Sequence, residues 1–393
     1  MSDLSQRALE RRLKRYLLKA EQRFLAVCAP GFESFLEEEI CALPDVKEVE
    51  IVRGGVEFSG PLETTYHANL HLRTAHRVLL RIDDFLAQTY PMLFDRAKRI
   101  SWELYLGFEE ALSINVSAKR SRLRHHKNIA ATLHDAILTS LEPLGLQPKL
   151  EDDAPLELYA RMFQDRCTLS LNTSGEHLHK RGYRTNINEA PLRETLAASI
   201  LKASNAENYD LILDPMCGTG TFLIEAALMK RKVASGLHRH FAFEQFPSFQ
   251  KSKWERFKSE ARDAALPLSP ARLIGCDVDE KVLEAARANA ERAGVLGDIH
   301  FFQADARTLD YSTFGASNQR ALLVTNPPYG RRLGSEQEVK TLYGALSERL
   351  RQAEGWRVAL ITPEPEWIEL PPTSALKFRN GGLRVSLLQG SCG

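Results

Sequence analysis

From about Asn188 onward the chain alternates short, almost wholly apolar strands with long helical segments, and no other feature restricts its fold as much. LILDPM, RLIGCDVD, IHFFQADA, ALLVTNPP and WRVALITP read as strands. ETLAASILKAS, TFLIEAALMKRK, EKVLEAARANAERAGV and VKTLYGALSERLRQ read as helices between them. A strand that is apolar on both sides must be covered on both faces, and the alternation with helices predicts a doubly wound, Rossmann-like α/β domain built on a parallel sheet. Such sheets bind ligands beyond the carboxyl ends of their strands, so chemistry is expected at those ends.

The N-terminal half has a different texture. RFLAVCAP is a first strand, FESFLEEEICAL a helix, and VKEVEIV and GVEFSG two short strands, which together predict a small α+β layer. Between about Thr65 and Leu171 a second mixed block follows. HANLHLRTAHRVLLRIDDF reads as helix then strand, YPMLFDRAKRI as helix, ALSINVSAKRS as an alternating strand, NIAATLHDAILTSLEPLG as an amphipathic helix and RCTLSLNTSG as a strand. At 393 residues the chain is too long for one core. The basic segment RALERRLKRYLLKAEQR reads as a surface helix or arm, with a transit peptide as the alternative. No apolar run approaches the ~20 residues of a membrane span. The six cysteines have no zinc-ligand spacing. A cytoplasmic protein without membrane or metal follows as the expectation. Net charge is only +1, but KRSRLRHHK over 119–127 holds five cations, two histidines and no acid, so distribution matters more than the sum.

The first strand end reads DPMCGTGT, an acid followed by Gly218-Thr219-Gly220 and a helix. Glycines let backbone approach a ligand, and the helix start offers unpaired N–H groups. The spacing is neither GxGxxG nor GxxxxGK[ST], and no lysine is present for phosphates. Asp214 would repel a phosphate but pair with the cationic end of an amino acid. A zwitterionic, phosphate-free nucleoside fits, and S-adenosylmethionine has those properties. Asp277 ends the second strand, where an acid accepts from ribose hydroxyls. Its distance from the glycine turn is far longer than the usual ~20 residues, which predicts an insertion around HRHFAFEQFPSFQKSKW. Asp279 reads as a helix cap. Asp305 ends the third strand, with its carboxylate for the adenine amine and the Ala306 N–H for a ring nitrogen.

The fourth strand end, LLVTNPPYG, is the sharpest signal. An amine on an aromatic base is a poor nucleophile because its lone pair is delocalised into the ring. The side-chain oxygen of Asn326 and the backbone carbonyl of Pro327 can hold both of its hydrogens. Pro327 and Pro328 lock the backbone, and Tyr329 can stack on the base. This is catalysis by positioning and charge matching, with no strong general base.

These residues resemble class I methyltransferases that modify exocyclic amines of nucleic-acid bases. CAPGFESFLEEEI resembles the opening of the ferredoxin-like domain in THUMP-containing RNA methyltransferases, and SINVSAKRSRLRHHKNIAATLHDAI resembles the THUMP core. HKRGYRTNINEAPLRETLAASIL resembles the junction into their catalytic domain, and ALKFRNGGLRVSLLQ its end. The resemblance covers nearly the whole chain and is closest to bacterial RlmL-like 23S rRNA guanine-N2 methyltransferases. It implies a basic helix or arm over 1–20, a ferredoxin-like domain over 21–66 and 155–185, an inserted THUMP unit over 67–172 and a methyltransferase domain over 186–393. It implies cofactor contacts at Asp214, Cys217, Gly218, Gly220, Thr221, Asp277, Asp305, Ala306 and Thr195, with Arg193 and Glu194 nearby. Base positioning falls to Asn326, Pro327, Pro328 and Tyr329. RNA contacts fall to Lys119, Arg120, Arg122, Arg124 and Lys127, with Arg181 extending the basic surface. The partner implied is 23S rRNA or a large-subunit assembly intermediate. The strand-end residues alone admit guanine N2 in rRNA or tRNA, or adenine N6 in RNA or DNA, and the THUMP-like half argues against DNA. A non-catalytic RNA-binding assembly protein is the alternative of another class. Gly220→Arg is expected to abolish cofactor binding.

Overall fold

The computed structural model describes residues 3–106, 111–152, 154–184, 192–314, 320–329, 336–369 and 372–392. Of the segments singled out above, 185–191 in the junction, Asp153 and Gly330 lie outside them. The chain forms two compact units. The first is Met1–Val27, Glu37–Leu178 and His240–Lys258; the second is Cys28–Leu36, His179–Arg239 and Ser259–Gly393.

The first unit opens with α1 (Asp3–Leu13), prolonged by a π-helical turn over Lys14–Leu18, then β1 (Gln22–Val27) and α2 (Glu33–Cys41). β2 (Lys47–Val52), β3 (Gly55–Gly60), α3 (Thr64–His71), β4 (Arg77–Leu86) and α4 (Tyr90–Lys98) follow. β5 (Leu112–Lys119), α5 (His126–Leu141), β6 (Leu156–Phe163) and β7 (Arg166–Asn172) complete it. Its strands make one sheet in the order β2-β3-β1-β4-β7-β6-β5. Only β5 and β6 pair in parallel.

The division within this unit differs from the one read in the sequence. The β-α-β-β-α-β set closes on β4, which pairs with β1 from Arg23↔Arg81 to Val27↔Arg77, and not on residues 155–185. β6 and β7 instead prolong the same sheet through the β4–β7 ladder. The two blocks share one sheet because RVLLRIDDF offers a long strand with partners on both edges. β6 itself escaped the sequence reading, although Leu156, Leu158, Ala160 and Met162 alternate inward along it.

The predicted insertion is present, but most of it belongs to the first unit. Phe243 and Trp254 pack on Tyr66 at centroid distances of 5.0 and 5.9 Å. The Phe243 N–H donates to the Thr173 carbonyl at 3.0 Å, and the Gln250 N–H to the Tyr66 hydroxyl at 2.9 Å.

The second unit contains α6 (Glu194–Ala203), β8 (Leu211–Asp214), α7 (Thr221–Lys230), the end of α8 (Lys251–Asp263), β9 (Arg272–Asp277) and α9 (Glu280–Arg292). β10 (Ile299–Gln303), β11 (Ala321–Thr325), α10 (Glu336–Arg351), β12 (Arg357–Thr362), β13 (Pro372–Asn380) and β14 (Leu383–Ser391) follow. The strand order is β10-β9-β8-β11-β12-β14-β13. β8 to β12 run parallel, and β14 is antiparallel to β12. The doubly wound sheet expected from the alternation is therefore present. Its core lies on both faces of the sheet, with Leu223, Ile224 and Leu283 in one cluster and Tyr343, Leu346 and Trp356 in the other. Phe32, although in the N-terminal half of the sequence, packs edge-on against Phe378 at 5.3 Å within this unit.

Candidate active site

The chain order reverses between β8 and β11, so a crevice opens at their carboxyl ends. β8 and β11 pair in parallel, with Ala321↔Leu211 and Leu323↔Leu213. Asp214 and Asn326 therefore leave adjacent strands on the same edge of the sheet. β9 pairs with β8 on its other side, Asp214↔Gly275, and β10 with β9, Gln303↔Asp277. One edge thus brings together Asp214, the glycine turn, Asp277, Asp305 and Asn326.

Asp214 is 2 % exposed and accepts from the Met216 N–H at 3.2 Å. Burial pushes its carboxyl up to about 8, against the Met216 N–H, and the neighbouring Asp277 carboxylate adds to the rise. The turn beyond it is tied to β9. The Cys217 N–H donates to the Cys276 carbonyl at 2.9 Å, and the Gly218 N–H donates to Asp277 Oδ2 at 3.0 Å. Burial pushes the Cys217 thiol far above its usual range, so it is an inert filler of the turn.

The two glycines serve different ends. Gly220 has φ +83°, and a Cβ there would meet Ala286 Cβ and Phe301 Cζ at 3.3 Å. It lets α7 start against the core. Gly218 has φ +52°, and a Cβ there would meet nothing within 4 Å, so it faces open space at the strand ends. A side chain at Gly220 would enter the core, so Gly220→Arg would act on the cofactor through the packing of the turn.

Asp277 also accepts from the Asp279 N–H at 3.1 Å, while Asp279 caps α9 through the Lys281 N–H as expected. Val278, beside Asp277, is 64 % exposed, an apolar surface that sequence reading did not single out. Asp305 is gripped by Arg307, whose Nε lies 2.9 Å from both carboxylate oxygens and holds the carboxyl below its usual range. Ala306 is buried, and its carbonyl accepts from the Tyr311 hydroxyl at 3.1 Å.

β11 is buried along its whole length, so its end is held firmly. Asn326 Oδ1 is itself buried and accepts no hydrogen bond among the described residues. An orphaned acceptor at this position is costly unless a ligand satisfies it. Pro327 is buried, and Pro328 and Tyr329 are half-buried. The Tyr329 hydroxyl accepts from Asn380 Nδ2 at 2.8 Å.

The junction residues form a buried polar cluster behind the turn. Arg184 Nη2 donates to Thr221 Oγ1 at 2.5 Å and pairs with Glu194 at 3.3 Å. Thr195 is fully buried in the first turn of α6. Arg193 is the residue before that turn and is exposed. The Tyr183 hydroxyl donates to Glu225 at 3.1 Å. On α9, Asn289 Nδ2 donates to the Thr219 carbonyl at 3.1 Å and Arg292 Nε to the Tyr183 carbonyl at 2.7 Å. Arg184 lies in the junction segment quoted above, whereas Asn289 and Arg292 carried no sequence motif that could have revealed them.

Arg181, expected on an RNA-facing surface, is instead buried: its side chain is 4 % exposed and lies 3.6 Å from Glu225, which is fully buried. A guanidinium withdrawn from water beside a carboxylate cannot meet phosphates. Arg181→Ala leaves Glu225 as an uncompensated buried charge, so a loss of about 3–5 kcal/mol is expected in denaturant unfolding. A change under about 1 kcal/mol would show that the pair holds nothing together. The other basic residues belong to the first unit. Lys119, Arg120, Arg122, Arg124 and Lys127 are all exposed.

The chain matches two family models: the RMKL-like methyltransferase domain over residues 181–375 and the RlmL ferredoxin-like domain over residues 23–79. It is 35 % identical over 385 residues to the ribosomal RNA large subunit methyltransferase K/L of Syntrophotalea carbinolica, covering 94 % of this chain and 54 % of that protein. The chain spans about half the length of the curated relatives it matches. Among solved structures it is similar to a possible methylase from Clostridium difficile, with TM-score 0.85, 30 % identity and coverage of 95 % of this chain and 99 % of that one. It is also similar to SMU.472, a putative methyltransferase complexed with SAH, with TM-score 0.83, 29 % identity and coverage of 95 % and 99 %. From a likeness that runs nearly end to end, the chain belongs to a family of methyltransferases, with an RlmL ferredoxin-like domain and an RMKL-like methyltransferase domain.

Proposed function

We propose that the chain transfers a methyl group from S-adenosylmethionine to the exocyclic N2 amine of a guanine in structured RNA, and that this RNA is 23S rRNA. The observation that carries the reading is the buried, unsatisfied Asn326 Oδ1 one strand away from the buried Asp214 and the open Gly218 cradle.

The residues present fit this donor. Asp214 would hold its ammonium end, Gly218 would admit it to the backbone, Asp277 would take its ribose hydroxyls and Val278 would cover its adenine. When bound, the donor supplies an electrophilic methyl group. Asn326 Oδ1 and the Pro327 carbonyl accept the two hydrogens of the target amine, which localises the nitrogen lone pair. Tyr329, with its hydroxyl fixed by Asn380, offers a ring on which the base stacks. The base must be unpaired or extruded from its stack to reach this edge.

Asp214 gives a pH dependence. Its free-state value of about 8 means that the protonated form predominates at neutral pH. The donor's ammonium favours the carboxylate, so binding releases a proton. Affinity for S-adenosylhomocysteine is expected to rise from about pH 6 to 8, by at most about tenfold per unit, and to level off above. The stability of the free protein moves oppositely. Between its ordinary value and about 8 the folded carboxyl keeps a proton that the unfolded one has lost, so this group costs stability as pH rises through that window. Calorimetric titration in buffers of different ionisation enthalpy checks the proton release; an affinity flat across the window would remove Asp214 from the site.

Methyl transfer from tritiated donor into purified rRNA, tRNA and DNA, followed by mass spectrometry of the nucleosides, tests the function. N2-methylguanosine in rRNA is the expected product. Label in N6-methyladenosine, or in tRNA or DNA alone, would overturn the substrate. Absence of transfer to any of them would favour a non-catalytic RNA-binding role.

A further inference from the structure

The β13–β14 hairpin overshoots the catalytic sheet at the end that carries the site. β12 runs parallel to β11 and so ends on the same edge as Asn326. Its last pair with β14 is Thr362↔Ser386, whereas the β13–β14 ladder continues through Phe378↔Val385 and Arg379↔Arg384 to Asn380↔Leu383. Residues 378–380 and 383–385 thus stand beyond β12. Gly381 and Gly382, at φ +56° and +91°, close them in a tight two-residue turn that needs positive φ at both positions. One side of this tip is fastened to the core. Phe378 packs edge-on against Phe32 and Val385 is buried, while Asn380 Nδ2 donates to the Tyr329 hydroxyl at 2.8 Å.

The other side of the tip carries its charge. Arg379 and Arg384 stand directly opposite each other across the ladder, both exposed, and Lys377 is exposed one step back on the same side. Like charges placed directly opposite destabilise a pair of strands. Arg379 Nη1 donates to the Gly382 carbonyl at 3.3 Å, which keeps that guanidinium at the tip. Two acids border the hairpin. Glu33 accepts the N–H of Gly31, whose Cα adjoins the Lys377 carbonyl, at 2.7 Å, and Glu364, past the end of β12, acts on the buried Tyr343 hydroxyl. Among the described residues no acid forms an ion pair with Lys377, Arg379 or Arg384. The hairpin therefore bears a repulsion that its own side chains do not relieve.

We propose that Arg379 and Arg384 receive a backbone phosphate of the RNA next to the target base. An anion between them turns the repulsion into charge-assisted hydrogen bonds, and the guanidinium fork matches phosphate oxygens. The tip is tied through Asn380 to Tyr329, so a phosphate fixed there sets the register of the strand relative to Asn326. A base extruded from its stack loses the hold of its neighbours, and a fixed backbone replaces that hold. The tight turn keeps both arginines in place before the RNA arrives, which lowers the ordering cost of binding. The inference rests on the RNA reading above and adds the residues of the catalytic unit that position the strand.

The test uses the full chain. The KM for methyl transfer to purified rRNA is measured beside thermal unfolding, and affinity for labelled rRNA is read by fluorescence anisotropy between about 50 and 200 mM salt. Arg384→Gln should raise the KM for rRNA by about 3- to 30-fold, with kcat and affinity for S-adenosylhomocysteine within a few-fold. It should lower the slope of log RNA affinity against log salt by about 0.7–0.9. Arg384→Glu is the sharper variant. It sets an acid opposite Arg379, so it should melt at or above the wild-type temperature and yet bind rRNA more weakly than Arg384→Gln. A purely structural role would move stability and RNA affinity together. Wild-type RNA affinity in Arg384→Glu, or a loss of affinity matched by a fall in melting temperature, would overturn the proposal. So would tighter capture of an acidic peptide than of RNA at matched charge, which would assign the tip to a protein partner. If the wild type binds rRNA without methylating it, the proposed reaction fails, and the anisotropy and melting of the two variants still decide this site.

Discussion

Asn326→Ala is expected to lower the rate of methyl transfer by about two to four orders of magnitude while leaving affinity for S-adenosylhomocysteine within a few-fold. The asymmetry follows from the position of the residue. Its strand is buried at every residue, so the backbone survives truncation of a side chain at the strand end. Among the described residues the lost Oδ1 is a buried acceptor without a partner, so none of their hydrogen bonds to it is broken. What disappears is the hold on one hydrogen of the amine, which matters most as the nitrogen lone pair is drawn out of the ring. Single-turnover kinetics beside calorimetric titration of S-adenosylhomocysteine would measure both halves. Normal turnover in the alanine protein would remove Asn326 from the mechanism.

The second large effect separates the two glycines of the turn. Gly218→Val should abolish measurable cofactor binding, a loss of more than about 100-fold, at a cost of roughly 1–3 kcal/mol for a β-branched residue at positive φ. Its new methyls would stand in the open space that the donor is proposed to fill. Gly220→Val should instead unfold or severely destabilise the second unit. It adds the same backbone strain to insertion against Ala286 and Phe301, and overpacking of that kind costs about 1–3 kcal/mol more. Thermal unfolding with and without S-adenosylhomocysteine distinguishes them. The Gly218 variant should melt cooperatively with no ligand-induced shift, and the Gly220 variant should melt far below the wild type. The reverse pattern would mean that the open side of the turn is not the ligand side.

Legibility tracked how local the signal was. β8, β9, β10 and β11 were readable because each is a short apolar run closed by an acid or Asn-Pro. α8 was not read, although Trp254, Phe257 and Ala261 are buried at helical spacing along it. Its polar residues and the aromatic run before it looked like an irregular insertion. The five cations of 119–127 are exposed, whereas Arg181 was misplaced because its partner, Glu225, is 44 residues away and nothing local announces it.

The amino-acid sequence by itself determined the periodicity of the catalytic sheet, the conformational freedom at the glycine turn and the chemical groups at each strand end. These depend on neighbours within a few residues and on which face is apolar. Only the tertiary structure decided that β4 completes the first half of the N-terminal sheet, that the aromatic insertion packs on Tyr66, that Arg184 and Asn289 brace the turn and that Arg181 is a core ion pair. Each of these is a contact between distant segments. Its energy comes from shape, burial and charge pairing that no local pattern encodes.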